Sequence, residues 1–302
     1  MTTSNNRLKM AMLAALEAQA GGAKSSGGNA KPPMAETKNL PTVGGIDFAE
    51  DAGKGMENVD KDSKAIPFLI ILQPQSPIVL DEKVAGAKAG MIANSVTGEL
   101  YGEEAFIIPC AFQRRFIRWA PRDAGGGFRG EFTPGEVQDM RTKGLVKELD
   151  NRLYFPLDDG TVHEKKSDKC VDTRSHFVLV MRKLDDPFAQ PMILAMSSTG
   201  IKTSKQFIAR IDGIKLQRDG GGVYTPPSFS HIYRMTSLKK TNDEGTWWLP
   251  VIDMAAQVKV ADIYNLAKGF HQQVSAGAVT AAHDSVRGAG HEDDSSAKQQ
   301  GF

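Results

Sequence analysis

The pattern of apolar and polar positions changes near Ala65. Before it, the one apolar run is "RLKMAMLAALEAQ", long enough for two or three helical turns. It is followed by "GGAKSSGGNAKPP" and the acidic, glycine-punctuated "FAEDAGKGMENVDKD". Such composition cannot bury enough apolar surface to offset the entropy of ordering, so residues 1–62 are expected to form a disordered arm. From Ala65 the texture is that of strands. "AIPFLIILQPQSPIVL" is apolar, β-branched and bounded by prolines, which favours extended chain. "KAGMIANSVTGELYG" reads as two short strands joined at Thr97-Gly98, and "AFIIPCAFQRRFIRWAP" as a strand or a strand pair.

Further along, Thr133-Pro134-Gly135-Glu136 has the form of a capping box with proline at the first helical position, predicting a helix through about Leu149. Strands resume at "RLYFPL", "HFVLVMRKL" and "PMILAMSS", with the polar "DDGTVHEKKSDKC" as a hairpin or loop. Ile201, Ser204, Ile208 and Ile211 recur at helical spacing, with Lys202, Lys205 and Arg210 on other faces, so a helix of about three turns is expected there. "GGGVYTPPSFSHIYRMTSLKKTNDEGTWWLPVIDM" reads as strand, Asn-Asp-Glu-Gly turn and strand, a β-hairpin. A last helix, about Val258 to Val274, aligns Ile263, Leu266, Ala267 and Phe270. The ordered part is therefore a β-rich domain over 63–274, followed by a flexible tail over 275–302.

Composition adds three limits. With 302 residues, 40% hydrophobic and 24% charged, the chain fits a globular protein with a sizeable core. Its longest apolar run is strand-sized and no signal-peptide pattern opens it, so a cytoplasmic location without membrane insertion is expected. Cys110 and Cys170 belong to no CxxC pair, and with His163 and His176 they match no zinc spacing; no metal is expected.

The net charge of +1 conceals a division: residues 101–240 hold 23 Lys+Arg against 17 Asp+Glu, while the remainder is net acidic. A basic middle suggests an anionic partner. Catalysis finds little support. There is no GxSxG elbow, no glycine run followed by Lys-Ser or Lys-Thr, and Asp158-Asp159 and Asp185-Asp186 sit in "LDDGT" and "LDDPF", ordinary turn chemistry. The expectation is a protein that is not an enzyme and needs no cofactor.

The sharpest feature is "QRRFIRWAPRDAGGGFRGEF", residues 113–132. Arg114, Arg115, Arg118, Arg122 and Arg129 alternate with Phe116, Trp119 and Phe128 around a triple glycine. On a strand, Phe112, Arg114, Phe116 and Arg118 share one face while Arg115, Ile117 and Trp119 share the other. Two mixed faces are a mismatch for a strand on a core. Either a β-bulge shifts the phase or the Arg/Phe face binds something. Single-stranded nucleic acid supplies a reason for the mixture, since guanidinium groups pair with phosphates and flat rings stack on bases. "RDAGGGF" is echoed by "RDGGGVY" at Arg218, suggesting two loops of similar chemistry.

"IPFLIILQPQSP", "AGAKAGMIANSVTGELYG", "RRFIRWAPRDAGGGFRG" and "PSFSHIYRMTSLKKTNDEGTWWLPVI" together resemble a group of tailed-phage early-gene proteins associated with single-stranded DNA binding, over about residues 65–255. The resemblance implies a mainly β (α+β) fold with an OB-like β-barrel core and two or three peripheral helices. It implies a role with single strands in DNA replication or recombination in the host cytoplasm. Phosphate contacts would come from Arg114, Arg115, Arg118, Arg122, Arg129, Lys202, Lys205 and Arg210, and stacking from Trp119, Phe128 and Trp247 or Trp248. Besides single-stranded DNA, the expected partners are phage or host replication proteins docking on the tail through Phe302, and further copies of the chain. The rival expectation is a virion or assembly protein that uses the Arg/aromatic loop as a protein interface.

Overall fold

A computed structural model describes residues 51, 54–58, 66–243, 245–281 and 283, with the side chain of Arg122 outside that description. The arm expected over 1–62 and the tail beyond 283 fall almost wholly outside the described residues. The rest is mainly β. Thirteen strands form antiparallel sheets, joined by the helices α1 (Pro77–Leu80), α2 (Pro134–Thr142), α3 (Gly200–Asp212) and α4 (Ala261–Ser275).

Two long strands carry the architecture. β4 (Glu104–Trp119) and β8 (Asp168–Met181) pair antiparallel from Phe106↔Met181 to Trp119↔Lys169. Each has different neighbours at its two ends. At one end β12 (His231–Asn242) joins β4 and β9 (Gln190–Ser197) joins β8, with β13 (Gly245–Gln257) outside β12. At the other end β5 (Phe128–Phe132) joins β4 and β7 (Arg152–Phe155) joins β8, with β6 (Lys147–Leu149) outermost. The stretch read as a strand or a strand pair is thus one strand shared between two half-sheets.

A bulge at Cys110 makes this possible. The register with β8 slips between Pro109 and Ala111, so the side-chain phase of β4 inverts there. Ile107 before the bulge and Phe112, Arg114, Phe116 and Arg118 after it lie on the same face as Val178 and Val180 of β8. The bulge precedes the stretch, and from Phe112 to Trp119 the pairing with β8 runs without a further slip, so the mixed faces read from the sequence are kept.

Three cores follow. On one side of the first half-sheet, Ile108, Phe177, Leu179, Ile193 and Ile232 pack against Ile263, Ala267, Phe270 and Val274 of α4. On the other, Ile107, Val178, Val180, Leu194, Tyr233 and Met235 enclose Phe207 of α3 and Leu69 and Ile92. The second half-sheet has a smaller core of Phe116, Phe155 and Cys170 under Val137 and Met140 of α2. Packing continues past the expected boundary at 274. Val279 and Ala281 lie against the first core, and His283 is buried with its ring 5.4 Å from Phe68.

Two expectations need correction. The capping box of α2 is present, with Thr133 and Glu136 exchanging hydrogen bonds, but the helix stops at Thr142 instead of near Leu149. Gly144 adopts φ +70°, and residues 147–149 then pair with β7 across a turn in which Asp150 and Asn151 both have positive φ, the geometry of a two-residue hairpin. Likewise Pro77–Leu80 is a single helical turn, not extended chain.

The expected OB-like barrel does not appear as a closed sheet: among the described residues none of the antiparallel sheets closes on itself. The edges of the first half-sheet are β9 and β13, and α3 and β1 (Leu69–Ile71) each touch both. A helix and a short strand therefore occupy the place where the last ladder of a barrel would run. β1 meets β9 through one parallel bridge, Phe68↔Ile193, and pairs on its other side with β2 (Ile92–Asn94), which pairs with β3 (Leu100–Gly102).

The link to β13 is a side chain. The Gln73 amide accepts from the Trp248 backbone N–H at 2.9 Å and donates to the Trp248 carbonyl at 3.0 Å. Two positions on stands Pro250, which has no N–H, and two further on Arg210 donates to the Ile252 carbonyl. The outward polar groups of this edge are in this way largely taken up.

Gly90 seats the Trp248 ring. Its φ is +92°, and a Cβ there would lie 2.4 Å from Trp248 Nε1. Gly90→Ala is therefore expected to cost about 2–4 kcal/mol, strain plus overpacking. Gly86→Ala, with φ +79° but open space around it, should cost only about 1–2 kcal/mol. Urea melts of the two variants check the difference.

Candidate nucleic-acid interface

β4 and β8 bring the arginine stretch against carboxylates from outside it. Arg114 forks onto Asp172, Nε to Oδ1 at 2.9 Å and Nη2 to Oδ2 at 2.7 Å. That partnership raises the Arg114 pKa above its ordinary value. Arg118 donates from Nε to Asp168 at 2.5 Å, and Arg129 reaches the same carboxylate at 3.0 Å. Asp168 is 5% exposed, so it is neutralised by two cations at once. Arg118 also lies over the Phe155 ring, 4.3 Å from its centroid. Arg115, on the opposite face, donates to the Arg114 carbonyl. Of the five arginines, three are thus ion-paired inside the sheet, and Arg122 falls outside the described side chains.

The nearby aromatics are engaged as well. Trp119 and Phe128 meet edge to face with centroids 6.2 Å apart, and both lie about His283, at 6.5 and 6.4 Å. The triple glycines 125–127 and 220–222 all have positive φ. The echo between the two loops is therefore one of turn geometry. Each loop links adjacent strands, β4 to β5 in the first case and β10 (Leu216–Gln217) to β11 (Val223–Tyr224) in the second.

A different surface collects unpaired positive charge. α3 is amphipathic: Ser204 and Phe207 face inward, while Thr199, Lys202, Thr203, Gln206 and Arg210 line a cleft of about 280 Å³. The other wall of that cleft is Leu238, Lys240, Leu249 and Pro250 of the β12–β13 hairpin. The hairpin register sets Lys240 opposite Trp247 and Lys239 opposite Trp248. Lys239 sits over the Trp248 ring at 5.6 Å. Trp247 Nε1 is shut from solvent with no hydrogen-bond partner. Arg210 is tied to the Ile252 carbonyl and to Asp253 at 2.7 Å. Lys202, Lys205 and Lys240 have no carboxylate partner among the described residues, and no carboxylate lines the cleft.

The residues singled out from sequence thus divide into two places. Lys202 and Arg210 line the cleft, Trp247 and Trp248 stand on its hairpin wall as cross-strand neighbours of Lys240 and Lys239 without lining it, and Lys205 is on the far flank of α3 by helical spacing. The residues Arg114, Arg118 and Arg129 lie half-exposed on one face of the sheet, held by Asp172 and Asp168. Sequence reasoning missed Lys239 and Lys240, although counting back from the Asn242 turn would have set them across from the tryptophans. It also missed Asp168 and Asp172, which lie some 50 residues from their partners and carry no local signal.

The model of a family described as Pam3 phage gp34-like protein matches residues 36–280. The chain belongs to this family of phage proteins. No curated protein and no solved structure matches it. Among the described residues no helix is long and apolar enough to cross a membrane, and no three His, Cys, Asp or Glu side chains are placed to hold a metal ion.

Buried titratable groups near the site are structural. Cys110 and Cys170 are buried thiols pushed up to about 12, chiefly by desolvation. His176 bonds Ser204 Oγ at 2.8 Å, pinning α3 to β8, and both are at most 1% exposed, out of reach of a substrate. Burial, with Arg174 adding to it, holds His176 down to about 3. A base whose folded pKa is depressed is neutral in the fold but protonates in the unfolded chain below about 6.5. Its contribution is full above that pH and is lost as pH falls toward 3. His176→Gln should therefore show a shallower loss of stability between pH 6.5 and 5 than the parent in urea melts. Asp168→Ala, which leaves Arg118 and Arg129 without their carboxylate, is expected to cost about 2–4 kcal/mol, discounted for the partial exposure of both arginines. The same melts measure it.

Proposed function

We propose that the chain binds single-stranded nucleic acid, DNA in a phage setting, through the cleft between α3 and the β12–β13 hairpin. The observation that carries this is the contrast in charge pairing. Arg114, Arg118 and Arg129 are paired with Asp172 and Asp168, while Lys202 and Lys240 line an open cleft with no carboxylate in its lining. Lysine ammonium groups serve as point charges for phosphates, and releasing counterions from the strand supplies the affinity.

The dimensions favour a single strand. A cleft of about 280 Å³ is on the scale of a single nucleotide unit. Thr199, Thr203 and Gln206 add neutral donors for phosphate oxygens, and Trp247, the cross-strand neighbour of Lys240, is a ring on the same hairpin. Roles in replication or recombination are the settings in which such binding would be used. The second reading, a virion or assembly protein docking by the Arg/aromatic loop, draws less support, because Trp119 and Phe128 already pack on each other and on His283.

Titration of labelled oligo-dT and of its duplex at two salt concentrations tests the proposal. Tighter binding of the single strand is expected. Lys202→Ala with Lys240→Ala should weaken it at low salt and flatten the slope of log affinity against log salt by about 1.4, or about 0.7 for each phosphate left without its lysine. Absence of oligo-dT binding, or a slope unchanged in the folded double variant, refutes the cleft as the interface.

A further inference from the structure

The pairing of β4 with β8 sets Arg114 directly opposite Arg174, with Met196 of β9 on the other side of Arg174. Like charges in directly opposed positions repel, and a single carboxylate, Asp172, stands between them. Its two oxygens are already engaged in the fork with Arg114. Arg174 reaches it only at 3.7 Å, although the Arg174 side chain is just 12% exposed. Among the described residues Arg174 makes no other side-chain hydrogen bond or ion pair, and its Nε is shut from solvent without a partner. A guanidinium removed from water and left so poorly compensated is costly. The local balance is two cations to one anion.

We propose that Arg174 and Arg114 form a site for an oxyanion, specifically the phosphate group of a phosphorylated ligand. A phosphate would accept from the Nη groups of Arg174, the part of the side chain that keeps the remaining exposure, and from the Arg114 nitrogen that the Asp172 fork leaves free. Planar donors matched to two oxygens are the geometry by which arginine takes phosphate. Phe112, two residues before Arg114 on the same face, is 42% exposed, with its ring 5.0 Å from His176. A flat apolar surface therefore lies next to the charge, which suits the phosphate of a nucleotide whose base stacks alongside. The charge balance of this sheet face is independent of the α3 cleft.

The test is inorganic phosphate binding to the full chain at constant ionic strength, read by calorimetry and by the thermal midpoint. The parent should bind phosphate with a rise in midpoint. Arg174→Gln should weaken binding about tenfold or more, the worth of a charge-assisted hydrogen bond. Asp172→Asn should move the opposite way, because both arginines then lack their carboxylate, and phosphate should bind it more tightly than the parent and restore more of its midpoint. No phosphate response in the parent, or equal responses in all three proteins, overturns the proposal. If Arg174→Gln fails to fold, the comparison of Asp172→Asn with the parent decides alone, and an Asp172→Asn that binds no tighter counts against the site. An oligo-dT arm identifies the source. Loss of oligo affinity in Arg174→Gln assigns the phosphate to a nucleic-acid backbone, and unchanged oligo affinity beside lost phosphate binding assigns it to a free phosphorylated molecule.

Discussion

Asp168 and Asp172 stand on β8 at the positions where β4 delivers its arginines, and the rest of the second half-sheet depends on that match. A strand that places Arg114, Phe116 and Arg118 on one face could not pack against a core with those charges unanswered. With Asp172 forked onto Arg114, and Asp168 buried between Arg118 and Arg129, the same face closes over Phe155 and accepts α2 above Phe116. The bulge at Cys110 is what puts the arginines on that face. The fork onto Asp172 occupies Nε and Nη2 of Arg114 and fixes the plane of its guanidinium on that face.

At the other end of the two long strands the constraint is different. Here the sheet does not close, and the gap between β9 and β13 is taken up by β1 and α3. Gln73 stands in for a ladder at Trp248, and Phe207 enters the core beside Tyr233, with centroids 5.0 Å apart. A helix laid along an edge strand leaves one flank open, and on α3 that flank carries Lys202 and Arg210. The hairpin supplies the facing wall with Lys240. The cleft is thus a by-product of closing a sheet with a helix instead of a strand.

Much of the β-rich fold was legible in the sequence because its signals are local. The Thr97-Gly98 turn, the Thr133 capping box, the helical spacing of Ile201 to Ile211 and the Asn242 hairpin each depend on a few adjacent residues, and each appears in the structure. What could not be read was non-local. Whether β4 would be one strand or two depends on its partner, and whether the sheet would close depends on where α3 docks. The candidate site suffered most. A run of arginines and aromatics looks the same whether its partners are phosphates or carboxylates 50 residues away. Lys202, Lys205 and Arg210 were singled out for charge alone, and only the fold shows that two of them share a cleft with a hairpin lysine that was overlooked.

On the proposed function, nucleic acid meets the α3 flank and the hairpin while the β4 arginines hold the sheet together. Hydrogen–deuterium exchange with and without saturating oligo-dT addresses that claim directly, because it reports where along the chain protection arises. The account predicts added protection across residues 199–210 and 238–252, with residues 112–119 and 128–132 unchanged. Protection confined to 112–132, with the cleft segments unaffected, would contradict it and return the binding surface to the arginine stretch.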